Sequence, residues 1–238
     1  KNSALYLMLA ALLTDEPVRL REVPKLSDVL VTQEILEHIG ASVHWEDRDV
    51  VIHAKNIVNC EAPYRLVSKM RASFVSMGAL LARGSATVSM PGGCAFGPRP
   101  VDRHIKAFQS LGVEIDEVGG EFRALRTQAL AGTVQFEAPT VGGTQNVILA
   151  AALGSDRVVI ENAALEPEIA DLANMLNGMG ARVSGAGTST ISIDGVERLS
   201  GTDYRPVADR IEAGTVMLMA AATRGTVTLD GVVPAHLH

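Results

Sequence analysis

The residues best suited to chemistry sit in one short segment, Pro91-Gly92-Gly93-Cys94-Ala95-Phe96-Gly97-Pro98-Arg99-Pro100-Val101-Asp102. It carries one of the chain's two cysteines among three glycines and three prolines. That composition describes a loop whose turns bulky residues do not tolerate. A thiol displayed there needs a nearby cation to favour its thiolate, and Arg99 supplies one. The helix-like run that starts at Val101 adds a field favourable to anions. The competing reading is a buried small hydrophobe, the usual state of a free cysteine.

Arg71, in Met70-Arg71-Ala72-Ser73, interrupts a run of apolar and small residues. A charge in such a place is costly unless it is paired or directed into a cleft. Its planar fork suits phosphate or carboxylate, so Arg71 and Arg99 together would make an anion site near Cys94. An ion pair with an acidic residue is the alternative. Lys1 and Asn2 open the first helical pattern and, taken alone, carry no signal. Thr140-Val141-Gly142-Gly143-Thr144 is a small-residue turn into a helix, open to backbone contacts with a ligand, although most such turns are only helix starts. Cys60 lies in the strand-like Val58–Pro63 and reads as structural. His44, His53 and His104 have no metal-ligand spacing, and His236 and His238 close the chain, so no metal site is expected. There is no GxxxxGK[ST] phosphate loop and no GxSxG elbow.

The elements that must position these residues recur. An apolar, small-residue helix leads into a short strand, a loop and an amphipathic helix that stops at a glycine, followed by two more strands. The first helices are read over 3–13, 69–82, 144–153 and 210–223, with strands at 18–22, 86–90, 157–161 and 226–230. The second helices span 26–39, 101–111 and 166–179, and Gly40, Gly112 and Gly180 fit left-handed helix stops. Paired strands follow each glycine. The unit is βαβαββ, with leading strands expected near 59–64 and 133–137; for the first unit that strand would lie upstream of Lys1 and be missing. First helices apolar nearly all round must be buried. Enclosed by sheets, with the second helices placed outside them, they make an α/β (α+β) fold of three units about a pseudo-threefold axis.

Bulk composition sets the limits. The chain has 238 residues, 47% hydrophobic and 20% charged, the profile of an ordinary globular protein. A formal charge of −6 with no basic stripe argues against a nucleic-acid partner. Two cysteines give no disulfide framework and fit a reducing compartment. No apolar run reaches the roughly 18 residues a membrane span needs, and 3–13 lacks a cleavage pattern, so no membrane association is expected. Both ends read as cut: the chain opens inside a helical pattern and stops where another helix starts.

The cysteine segment, followed by Arg103-His104, closely resembles the catalytic loop of the UDP-N-acetylglucosamine enolpyruvyl transferase (1-carboxyvinyltransferase) family. Matching segments run the length of the chain: Lys1-Asn2-Ser3-Ala4-Leu5, Val23–Val29, Ala62-Pro63-Tyr64, Met70–Ser73, Thr140–Thr144, Glu161–Ala164 with Glu166-Pro167-Glu168, and Asp209–Thr215. The resemblance implies two domains, each an inside-out α/β barrel of three units. Residues 1–208 would be the cysteine-loop domain and 209–238 the truncated start of the second, with the linker near 202–208. It implies transfer of enolpyruvate from phosphoenolpyruvate to UDP-N-acetylglucosamine in the cytoplasm, an early step of peptidoglycan synthesis, by a monomer that uses no cofactor.

By resemblance, Cys94 is the general acid and the target of fosfomycin. Lys1 and Arg99 hold the phosphate of phosphoenolpyruvate, and Asn2 and Arg71 stand at the reaction centre. Arg99, Pro100, Val101, Asp102 and Arg103, with Ala138, Pro139, Thr140 and Val141, line the nucleotide sugar. Ala138 stands where some members carry lysine, and Arg103 where some carry leucine. The family's aspartate base lies in the second domain, so the isolated chain is expected to be inactive and open to self-association through 210–223. A shikimate-type transferase and a non-catalytic UDP-sugar-binding domain are the alternatives; the loop cysteine counts against the former.

Overall fold

The computed structural model describes residues 1–92 and 101–237. Cys94, Arg99 and Pro100 therefore lie outside the described residues. The first unit comprises α1 (Asn2–Ala10), β1 (Val18–Leu20), α2 (Ser27–Ile39), β2 (Ser42–Glu46) and β3 (Asp49–His53). The second comprises β4 (Glu61–Ala62), α3 (Tyr64–Val67), α4 (Ser76–Ala82), β5 (Ser85–Ser89), α5 (Asp102–Ser110), β6 (Glu114–Val118) and β7 (Glu121–Leu125). The third comprises β8 (Gly132–Gln135), α6 (Val141–Ala151), β9 (Arg157–Glu161), α7 (Pro167–Gly178), β10 (Arg182–Ser184) and β11 (Thr190–Asp194); β12 (Thr202–Tyr204) and α8 (Arg210–Thr223) follow.

The three sheets repeat one plan: β12-β1-β3-β2, β4-β5-β7-β6 and β8-β9-β11-β10. Each begins with a parallel pair and continues antiparallel. The leading strand of the first unit is thus present, and it comes from the far end of the chain. Thr202–Tyr204, expected in a linker, pairs parallel with β1 in the register Val18↔Thr202 to Leu20↔Tyr204. The edge of β1 would otherwise leave backbone groups unpaired, and β12 supplies them.

Helices form the interior. In α1, Leu7, Met8 and Ala10 are fully buried, as are Ile148, Leu149 and Ala150 of α6. Strands present one face to them: along β7, Phe122 and Ala124 are buried while Arg123 and Leu125 are exposed. The second helices do not lie outside the sheets as the charge pattern suggests. Instead α2 packs on α1, β2 and β4; α5 on α6, β6 and β8; and α7 on α1, α6, β10 and β12. Their apolar stripes, such as Ile169, Leu172, Met175 and Leu176 of α7, need a covered surface, and the wedge between two units provides it. The result is an inside-out α/β barrel. Gly40, Gly112 and Gly180 end these helices at φ +115°, +82° and +103°, a conformation that glycine takes without strain.

Two expectations fail locally. The helix read over 69–82 is broken: Met70 is extended (φ −155°, ψ 147°), and a 3-10 turn, Arg71–Val75, precedes α4. Ser73 Oγ donates to the carbonyls of Val67 and Met70, turning the chain back before α4 can start. Residues 226–230 form no strand and pair with no other strand among the described residues. No helix among the described residues is long and apolar enough to cross a membrane.

Candidate functional site

Helix starts and the 3-10 turn converge on one concave pocket of about 240 Å³, lined by Tyr6, Arg71, Ala72, Phe74, Val75, Val101, His104, Thr140 and Gly142. That is smaller than the roughly 300–1,000 Å³ of drug-sized sites, so these walls suit one part of a ligand. Arg71 enters at the first residue of the 3-10 turn, Val101 immediately before α5, and Thr140 as the N-cap of α6. Thr140 Oγ1 accepts from the Gly143 N–H at 3.3 Å. Three of the residues expected at the site, Arg71, Val101 and Thr140, therefore share one wall.

Others are placed differently. Asp102 and Arg103 are exposed on the first turn of α5. Arg103 lines a neighbouring groove with Lys106, Ser110 and residues 133–137 of the β8 segment. Ala138 is half-buried, Pro139 exposed and Val141 half-buried at the start of α6. Lys1 and Asn2 sit at the start of α1 among carboxylates. The Lys1 ammonium lies 2.6 Å from Asp28 Oδ2, and the Asn2 side-chain amide donates to Asp209 Oδ1 at 3.3 Å. Asp209 also caps α8 by accepting from the Ile211 and Glu212 N–H groups. Burial works against ionisation of Asp209, but the Glu212 amide, the Lys1 amino group and the Asn2 amide outweigh it and lower its pKa.

Several members of the site were not legible as such in the sequence. Tyr6 is the lone phenol in the apolar run 4–10 of α1; burial first, then Glu168 and Asp28, push its pKa up to about 12. Its hydroxyl keeps its proton at any physiological pH. His104, 6% exposed, packs edge-on against Phe74 with ring centroids 5.3 Å apart. Burial and then the Arg71 charge pull its pKa down to about 4, against a smaller opposing pull from Asp102. Asp209 could have been found as an N-cap, since Asp209-Arg210-Ile211-Glu212 is a helix-start pattern. Asp28 and Asp209 become partners of the first residues only through long-range packing.

Nearby, three carboxylates anchor the chain after β12. Buried Asp171 accepts from Ser3, from Tyr204 Oη at 2.7 Å and from the Val207 N–H at 3.1 Å. Buried Glu168 pairs with Arg210 at 3.2 Å, and Asp209 holds Asn2. This clasp ties α1, α7 and the start of α8 together. Among the described residues no group of His, Cys, Asp and Glu gathers to hold a metal ion.

A family model described as EPSP synthase (3-phosphoshikimate 1-carboxyvinyltransferase) matches residues 1–238. The UDP-N-acetylglucosamine 1-carboxyvinyltransferase of Deinococcus radiodurans is 53% identical over 239 residues, covering 100% of this chain and 56% of that protein. The protein of the same name from Thermus thermophilus is also 53% identical, with the same coverage. In Staphylococcus aureus the identity is 48%, over 100% of this chain and 58% of the relative. This chain thus spans a little over half the length of the curated relatives it matches. Among solved structures, the enolpyruvyl transferase NikO from Streptomyces tendae superposes with a TM-score of 0.79 at 23% identity, over 90% of this chain and 52% of that one. EPSP synthase from Acinetobacter baumannii gives 0.72 at 18%, over 93% and 51%. At those identities the structures speak for the fold.

Proposed function

The chain belongs to the EPSP synthase (3-phosphoshikimate 1-carboxyvinyltransferase) family, and from that premise we propose that it serves the transfer of enolpyruvate from phosphoenolpyruvate to the 3-hydroxyl of UDP-N-acetylglucosamine, releasing phosphate. The observation that carries this reading is 53% identity along the whole chain to relatives named for that carboxyvinyl transfer. The joining of Arg71, Val101 and Thr140 in one pocket supports it.

In this reading the sugar hydroxyl attacks the enol carbon while Cys94 protonates the methylene; loss of phosphate and of one methyl proton then restores the double bond. Positive character grows at the enol carbon as phosphate departs, so cations must meet the leaving group, and Lys1 and Arg99 take that role. Proton delivery by a positioned acid is the part of Cys94. Asn2 and Arg71 hold the reaction centre. Arg99, Pro100, Val101, Asp102 and Arg103, with Ala138, Pro139, Thr140 and Val141, line the nucleotide sugar. The base that takes the hydroxyl proton belongs to the remaining length of the family pattern, so this chain alone binds weakly and does not turn over. Residues 1–208 act as the cysteine-loop domain and 209–238 open the second. The exposed apolar side chains of α8, Leu218 at 73% and Met219 at 61%, support that division. We place the reaction in the cytoplasm, in peptidoglycan synthesis.

Calorimetry of this chain with UDP-N-acetylglucosamine, and phosphate release by the full-length enzyme with phosphoenolpyruvate, test the reading. A full-length enzyme that accepted shikimate 3-phosphate and ignored the nucleotide sugar would overturn it.

A further inference from the structure

Asn146 lies on α6, fully buried, between groups whose hydrogen-bonding roles are fixed. Its Oδ1 is 2.7 Å from the Gly78 N–H, which can only donate. Its Nδ2 is 3.3 Å from the Phe74 carbonyl, which can only accept. The amide therefore cannot be turned over without losing both bonds. The same Nδ2 lies 2.7 Å from His104 Nδ1, so that ring nitrogen must accept and carries no proton. In a neutral imidazole the proton is then on Nε2. That edge of the ring lies beside Gly142, which lines the pocket together with His104: a Cβ added at Gly142 would come within 3.0 Å of Cε1 and 3.4 Å of Nε2.

We infer that Asn146 is a positioning residue, fixing His104 as an Nε2–H donor on the wall of the Arg71 pocket, where it bonds an acceptor oxygen of the bound ligand. The inference rests on the functional reading only for the ligand's identity, which is then UDP-N-acetylglucosamine. Neither residue stands among those that the resemblance assigns to the site. The low basicity of the ring fits the role, since a neutral His104 beside Arg71 adds direction without a second full charge. Gly142 has a matching reason to lack a side chain, because a Cβ would crowd the imidazole.

Nitrogen-15 NMR of the imidazoles in this chain reads the tautomer without any ligand. We expect His104 with Nδ1 bare and Nε2 protonated; an Nδ1–H ring overturns the inference. In the full-length enzyme, His104→Asn keeps a partner for Asn146 but withdraws the pocket-facing donor, whereas His104→Gln extends an N–H toward the Nε2 position. We expect the KM for UDP-N-acetylglucosamine to rise about tenfold or more in the first with kcat little changed, the pattern of a lost binding contact, and to recover in the second. Equal effects of the two would mark a purely structural role and overturn the inference. Asn146→Leu, if folded, should mix the tautomers and raise the same KM. A wild-type full-length enzyme without affinity for the nucleotide sugar would defeat the functional reading alone, and the tautomer would then decide the inference.

Discussion

Helices α6 and α8 share a composition of small and branched apolar residues, yet their surroundings are opposite. In α6 every residue from Gly143 to Ala151 is buried, whereas in α8 only Ala213 is. The difference lies in their neighbours. Helix α6 packs on α4, α5 and α7 and on strands β9 and β11. Helix α8 is tied at its first residues, through Asp209 to Asn2 and Arg210 to Glu168, and then runs with Met217, Leu218 and Met219 exposed. Composition makes both helices fit for burial, and the ring of three sheets buries only the one it encloses.

The sharpest way to break that comparison is to truncate equivalent side chains. Leu149 is fully buried in α6 and Leu218 is 73% exposed in α8. Leu149→Ala should destabilise the chain by about 4 kcal/mol through lost burial and the cavity left behind. Leu218→Ala should stay within about 0.5 kcal/mol. Urea denaturation of both variants checks this, and similar losses would mean that α8 is buried in solution.

The clasp that joins the two regions comes next. Asp171→Ala leaves the hydroxyls of Ser3 and Tyr204 and the amide of Val207 without their shared acceptor. A loss of about 3 kcal/mol is expected, at the scale of several buried groups left unsatisfied. Hydrogen exchange should localise it, since β12 closes the first sheet beside this carboxylate. Faster exchange at Thr202–Tyr204 than in β9 would mark the ring opening at its seam.

That seam is where the sequence is hardest to read. The glycine stops at 40, 112 and 180 and the apolar first helices are legible because local conformation and burial have local signatures. Strand β12 has none: Thr-Asp-Tyr is three residues with no alternation to detect, and its partner β1 is some 180 positions away. The placement of α2, α5 and α7 failed for a related reason. An amphipathic pattern says that one face is covered, but not whether a sheet or another helix covers it. Within the site, Arg71 was legible as a charge among apolar neighbours. His104 was not, because its role depends on Asn146, and no sequence pattern links a residue of α5 to one of α6.

Acid should separate the same two regions. His104 has its pKa lowered to about 4 by burial and then by Arg71, against an unfolded value near 6.5. Between those values the unfolded chain binds the proton and the folded chain does not, so folding stability falls as pH falls. The contribution is complete above about pH 6.5 and should shrink by about 2 kcal/mol by about pH 5. The His104→Asn variant should lack that part of the slope. Helix α8 has no such buried group, so helicity lost from α8 alone would not follow this profile.

The smallest effect separates the two helix starts. Thr140 caps α6 through the Gly143 N–H, and Asp209 caps α8 through the Ile211 and Glu212 N–H groups. Removing either cap should cost its helix about 1 kcal/mol. In α6 the helix cannot melt without opening the core, so Thr140→Ala should appear as a lower midpoint of global unfolding. Asp209→Ala also releases Asn2, yet α8 has little packed surface to lose. Its cost should therefore appear as fraying of 210–223, seen as faster amide exchange there, with the unfolding midpoint of the barrel moving less than in Thr140→Ala. A larger midpoint shift for Asp209→Ala would show that the start of α8 belongs energetically to the closed ring.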